Sequence, residues 1–178
     1  TEKGVFSVEQ SRRILQKAQE LGFKLRMHAD EMHSLGGAEL AAELNAASAD
    51  HLLMVSGQGI RALLESDVVP ILLPGTAFTL RKPYAPARKM LAAGLPLALA
   101  TDFNPGSCPT ANLLLVMSIA CLYMAMTPEE VFNAVTINAA HSLGRSQRLG
   151  SLEPGKQADL VIFAVDDYKK IPYYIGVN

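Results

Sequence analysis

The sequence has no tryptophan and only two cysteines, Cys108 and Cys121, in 178 residues. Two thiols are too few for a disulfide framework, so a reduced, cytoplasmic setting is the default expectation. No apolar run is long enough for a transmembrane helix, and Thr1-Glu2-Lys3-Gly4 does not resemble a signal peptide. A charge excess is missing too. The formal net charge is -1 and the basic residues are scattered, which gives no footprint for nucleic acid or an anionic membrane surface. What is present is a chain with 49% hydrophobic and 19% charged residues, the balance of a folded domain with a sizeable core. The chain starts on Thr1 and enters a helix almost at once. It ends on Ile175-Gly176-Val177-Asn178, which reads as an interrupted strand, so a piece of a longer protein is expected.

Helix and strand signals alternate. Ser7 is a good N-cap for an amphipathic helix over 8–21, stopped by Gly22. Strands are expected over 23–27, 50–55, 68–73 and 95–100. Helices are expected over 37–46, 57–66, 85–93 and 112–126. The strands are apolar throughout, as in parallel sheets covered by helices, leaving a (β/α)8 barrel or a doubly wound sheet. No Gly-x-Gly-x-x-Gly follows a strand, which weakens the dinucleotide-binding alternative. Thr127-Pro128-Glu129-Glu130 is a capping box opening a helix to about Asn138, with a further helical piece over 139–143. The run 158–163 reads as a strand. The fold expected is therefore α/β: the C-terminal half of a (β/α)8 TIM-type barrel over 1–147, with a truncated β subdomain beginning at 148–178.

Ligand-type residues recur at or near the strand ends. His28 ends the first strand, His51 belongs to the second, Pro74 ends the third and Asp102 ends the fourth, at spacings of 23, 23 and 28 residues. In a (β/α)8 barrel these ends converge on one face, where active sites are built. His28-Ala29-Asp30-Glu31 offers an imidazole ligand and a carboxylate for proton transfer, and a polar loop capping the next helix stays open as the alternative. Asp102 follows a buried strand, where a bare carboxylate is costly unless paired or bound to metal; a turn or capping Asp is the competing role. Asn104 and Gly106 offer an amide and accessible backbone at the same rim, or simply a tight turn. His51 is either a ligand or oxyanion partner, or a hydrogen-bonded core histidine. His33 is expected on an exposed loop and His141 capping or packing the C-terminal helices. Cys108 has no adjoining base, and Cys121, Met117, Met124 and Met126 are expected in the core.

These residues resemble the amidohydrolase superfamily, with His28, His51 and Asp102 on its fifth, sixth and eighth strands. The stretches 136–144 and 150–161 resemble that superfamily's last barrel helix and its return into a flanking β subdomain. A narrower resemblance is to the imidazolonepropionases. It rests on His28-Ala29-Asp30-Glu31, Gly36-Gly37-Ala38-Glu39-Leu40-Ala41, Ser48-Ala49-Asp50-His51-Leu52, Leu73-Pro74-Gly75-Thr76 and Ala100-Thr101-Asp102-Phe103-Asn104-Pro105-Gly106-Ser107.

This resemblance implies hydrolysis of the ring amide of 4-imidazolone-5-propanoate to N-formimino-L-glutamate, in histidine degradation. It implies one Zn or Fe ion held by His28, Asp102 and a His-x-His pair. No His-x-His occurs in this sequence, so the chain alone is expected to be inactive. Glu31 would contact substrate and assist proton transfer, His51 would polarise the carbonyl, and Asp102 would shuttle a proton. Asn104, Gly106 and Ser107 would hold substrate or product. A homodimer is the commonest oligomer to expect. Another cyclic amidase or a nucleobase deaminase of the superfamily is the runner-up, and a non-catalytic half-barrel is the alternative of a different class.

Overall fold

Ser7 opens the first helix in a computed structural model that describes residues 1–177. Its hydroxyl accepts from the Gln10 amide at 3.2 Å, and the Gln10 side chain accepts from the Ser7 amide at 2.9 Å. This capping box starts α1 (Val8–Glu20). The chain then alternates: β1 (Arg26–Ala29), α2 (Gly37–Glu43), β2 (Ser48–His51), α3 (Gly57–Leu64), β3 (Val69–Leu72), α4 (Pro74–Thr79), α5 (Ala87–Ala92), β4 (Ala98–Leu99) and α6 (Leu113–Tyr123). The four strands form one parallel sheet in the order β1-β2-β3-β4. Helical crossovers between sequence-adjacent parallel neighbours are the repeat expected from the alternation.

Several elements differ from the sequence reading. The strand expected over 23–27 forms at Arg26–Ala29, and the one expected over 50–55 forms at Ser48–His51. His51 therefore closes β2, while His28 is the third of four residues in β1. The strand over 95–100 shrinks to Ala98–Leu99, because only these residues pair with β3. Pro74 does not end β3; it opens α4, where its missing N–H costs nothing. Nor do all strands bury both faces. In β1, Met27 and Ala29 are buried against helices while Arg26 and His28 are exposed on the other side.

The C-terminal region also departs. The helix expected to run to Asn138 breaks at Thr136 (φ −118°, ψ −93°) into α7 (Pro128–Val135) and α8 (Ile137–Ser142). The Asn138 amide donates to the Leu97 carbonyl at 2.8 Å, tying α8 to the start of β4. Residues 158–163 form no strand. Leu160, Val161 and Ile162 are 60%, 76% and 95% exposed, and no strand among the described residues lies beside them to complete the backbone pairing that a strand requires. A short helix, α9 (Lys170–Tyr173), follows. Of the strand expected at 175–178, Ile175 and Gly176 form a turn and Asn178 lies outside the described residues.

The core lies between the sheet and its helices. Leu40, Leu63, Leu72, Leu97, Val116 and Val131 are at most 1% exposed, and each contributes roughly 1.5–3 kcal/mol by burial. Met117, Met124 and Met126 are buried as expected, while Cys121 is half-buried. Two glycines set how closely the layers approach. A Cβ on Gly37 would stand 2.9 Å from the Ala29 Cα, and one on Gly59 would stand 2.9 Å from the Ala38 Cβ. Only glycine lets α2 lie this near to β1 and to α3.

Candidate active site

The carboxyl ends of the parallel strands share one rim. Backbone strain concentrates there: Asp30 (φ 49°), His51 (φ 75°), Leu52 (φ 59°) and Asp102 (φ 54°) all occupy the left-handed region. Such conformations cost about 1–3 kcal/mol each and persist where the surroundings impose them. Asp30 illustrates how. It is fully buried, and its Oδ1 accepts from the amides of Leu35 (2.8 Å), Gly36 (3.1 Å) and Gly37 (3.1 Å). Its Oδ2 accepts from Ala38 at 2.9 Å. Asp30 thus closes the loop between β1 and α2, leaving its neighbours His28 and Glu31 for the site.

The structure brings His28, Glu31 and His51 together. One ligand atom from each lies within 4.8 Å of the other two. The His28 and His51 rings meet edge to face, and His51 Nδ1 stands 3.7 Å from Glu31 Oε1. Burial pushes the His51 pKa down to about 4; the nearby His28 acts in the same direction and Asp102 opposes it. His51 is therefore neutral at pH 7, and its contact with Glu31 is no ion pair. Both ring nitrogens are shielded from solvent and have no hydrogen-bond partner. Burial pushes the Glu31 carboxyl up, the nearby His28 pulls it down, and the carboxylates of Asp102 and Glu2 push it up.

Asp102 follows β4 on the same rim. Thr76 Oγ1 donates to its Oδ2 at 2.5 Å, and the Asn104 amide donates to its backbone carbonyl at 2.8 Å. It is close enough to act electrostatically on Glu31 and His51 but is not one of the three clustered ligand side chains. The Asn104 side chain is spent on its own loop. Its Oδ1 accepts from the Gly106 amide (2.9 Å) and the Ser107 amide (2.7 Å), and its Nδ2 also donates to Ser107 Oγ at 3.0 Å. In this arrangement Asn104, Gly106 and Ser107 hold one another.

The remaining histidines stand apart. His33 lies on an exposed loop, 2.5 Å from Glu2. His141 is exposed on α8 and lines a cavity with Val69 and Pro96 at the opposite ends of the strands, rather than packing inside the helical region. The Cys108 thiol is buried and donates to the Thr101 carbonyl at 3.0 Å.

Three polar residues at this rim escaped the sequence reading: Asp30, Asp50 and Thr76. Asp50 pairs in register with His28, its Oδ1 is buried without a partner, and burial raises its pKa. Its place directly before His51 was the available signal. Thr76 lies in a motif already noted, but no pattern in the sequence links it to Asp102.

The residue types at this rim suit a metal: imidazole nitrogen from His28 with carboxylate oxygen from Asp102 is ordinary zinc chemistry. The unpartnered nitrogens of buried, neutral His51 leave a ring N–H available to a polar group entering the site.

Residues 2–177 match the amidohydrolase family. The imidazolonepropionase of Alkaliphilus oremlandii is 60% identical over 99% of this chain and 42% of its own length. That of Geobacillus kaustophilus is 57% identical over the same shares. The chain thus spans about 42% of the length of these curated relatives. Among solved structures, a zinc-bound adenosine deaminase from Xanthomonas campestris superposes with a TM-score of 0.72 at 22% identity, covering 86% of this chain and 40% of that one. Atrazine chlorohydrolase from Arthrobacter aurescens, complexed with zinc, gives a TM-score of 0.72 at 21% identity, over 97% and 44%. At such identities the likeness is one of fold: the sheet and helices here correspond to part of a barrel.

Proposed function

This chain belongs to the amidohydrolase family, and we propose that the protein it forms part of hydrolyses the ring amide of 4-imidazolone-5-propanoate to N-formimino-L-glutamate. The observation that carries a hydrolytic reading is the meeting of Glu31 with a neutral, unpartnered His51 beside His28. The choice of substrate is supported by relatives named imidazolonepropionase at 60% and 57% identity.

In the reaction a water oxygen bonds to the ring carbonyl carbon, the carbon–nitrogen bond breaks, and the nitrogen leaves with a proton. His28 and Asp102 would hold one Zn or Fe ion together with ligands from outside this chain, and a bound ion of this kind lowers the pKa of water toward neutrality. Glu31, its carboxyl raised by burial, takes up a proton more readily than an exposed glutamate and contacts the substrate. Neutral His51 donates a ring N–H to the carbonyl oxygen, where negative charge develops. Asp102 passes a proton to the departing nitrogen. Asn104, Gly106 and Ser107 form the loop against which substrate or product rests.

The same proposal places residues 1–147 in the barrel and 148–178 in a β subdomain. It takes the protein to be a cytoplasmic homodimer acting on a small molecule, with no nucleic-acid or membrane partner. No helix among the described residues is long and apolar enough to cross a membrane.

The test is a direct assay of the complete protein that carries this sequence. Imidazolonepropanoate is expected to be consumed, and Glu31→Gln to reduce kcat by about 10²–10⁴ with unchanged metal content. Deamination of a purine or pyrimidine, with imidazolonepropanoate untouched, would falsify the substrate assignment.

A further inference from the structure

Thr76 makes its side-chain hydrogen bond across the rim, not along its own helix. A helical threonine commonly returns its hydroxyl to the carbonyl four residues back. Thr79 does so within the same helix, donating to the Gly75 carbonyl at 2.8 Å. Thr76 instead donates to Asp102 Oδ2 at 2.5 Å. It is 1% exposed, and its backbone is fixed at both ends: its amide donates to the Leu73 carbonyl and its carbonyl accepts from Leu80. The neighbouring segments leave little slack. A Cβ at Gly75 would stand 2.7 Å from the Cys108 Sγ, and that thiol is itself bonded to the Thr101 carbonyl. The first turn of α4 is therefore clamped against the strand end that carries Asp102.

A hydroxyl held this way fixes the orientation of the carboxylate it bonds. From this we propose that Thr76 is a positioning residue: by donating to Asp102 Oδ2 it holds the Asp102 carboxylate in place, and so raises its affinity for the metal ion. The inference rests on Asp102 being a metal ligand, as in the function proposed above. Outer hydrogen bonds of this type orient ligands and tune metal affinity.

The test uses the complete protein and its zinc dissociation constant, measured by competition with a chelator, so it needs no substrate. Thr76→Val keeps the shape and removes the hydroxyl; zinc affinity is expected to fall about 10–100-fold. Thr76→Ser keeps the hydroxyl and is expected to bind zinc like the parent. Should Thr76→Val fail to fold, Thr76→Ala replaces it, with the same expectation. A folded Val or Ala variant with parental zinc affinity overturns the inference, as does a Ser variant as weak as the Val variant. Asp102→Asn, run in parallel, separates the two readings. If it keeps zinc, the ligand assignment fails and this inference with it. If it loses zinc while Thr76→Val keeps it, only the role of Thr76 fails.

Discussion

The imidazoles of His28 and His51 meet with ring centroids 4.7 Å apart and planes at 87°. They come from adjacent strands, yet they are not register partners. His28 pairs with Asp50, and His51 pairs with Ala29. Strict alternation along β2 would direct Asp50 and His51 to opposite faces. The left-handed backbone at His51 (φ 75°) departs from strand geometry at that residue, and the ring reaches the rim that His28 occupies. The contact therefore depends on one strained residue at the end of a strand.

Acid stability reports on His51. Its folded pKa, about 4, lies below the unfolded value of 6.5. The unfolded chain then binds more protons between these values, so stability falls as pH drops from about 6.5 to 4 and the effect levels off below. The full contribution is about 3 kcal/mol. Glu31, with its raised carboxyl, works in the opposite sense, so comparison with a variant is needed. Urea midpoints of the metal-free complete protein are expected to fall more between pH 7 and 4.5 in the parent than in His51→Gln. Equal slopes would contradict a buried neutral His51.

Asp30 anchors four amides from the fully buried interior. Asp30→Ala strands those donors and is expected to cost about 3 kcal/mol or more. Asp30→Asn retains one oxygen for the three Oδ1 bonds and sets an NH₂ against the Ala38 amide, so it should lose less. Denaturation curves of the two variants give the order; an alanine variant as stable as the asparagine one would remove Asp30 from this role.

Two glycines make a matched pair. A Cβ at Gly37 meets the Ala29 Cα at 2.9 Å and the Asp30 amide nitrogen at 3.1 Å, both backbone atoms that cannot step aside. Gly37→Ala is expected to destabilise by about 1–3 kcal/mol and to disturb the His28 strand. At Gly57, in the first turn of α3, the nearest neighbour is the tip of Arg61 at 3.9 Å. Gly57→Ala is expected to be neutral or to stabilise by up to about 1 kcal/mol. Thermal unfolding of both variants measures the difference, and a Gly37→Ala variant as stable as Gly57→Ala would contradict the expected clash.

Asp102→Asn in the complete protein is expected to lower bound metal sharply, because an amide oxygen carries no charge to offset the cation. Elemental analysis of the purified variant reads this directly. Full metal content would leave Asp102 a proton-transfer group only.

Residue patterns alone were enough for the alternation of helices and strands over 8–126 and for the parallel α/β class, though not for the strand limits. Periodicity, caps and glycine stops are local, and they survive into the structure at Ser7, Thr127 and the α2 and α3 starts. His28, Glu31, His51 and Asp102 stood out as candidates because ligand-type residues contrast with apolar strands. Which of them touch depends on contacts made across the fold. The clustering of Glu31 with His51, the Thr76 bond to Asp102 and the anchoring by Asp30 all join residues from different segments or through a folded loop. Tertiary context also overrode a local signal at 158–163, where strand propensity is strong and no partner strand lies alongside among the described residues. A strand is completed by its neighbour, and a site by the backbone turns that aim its side chains; neither is written in the residues alone.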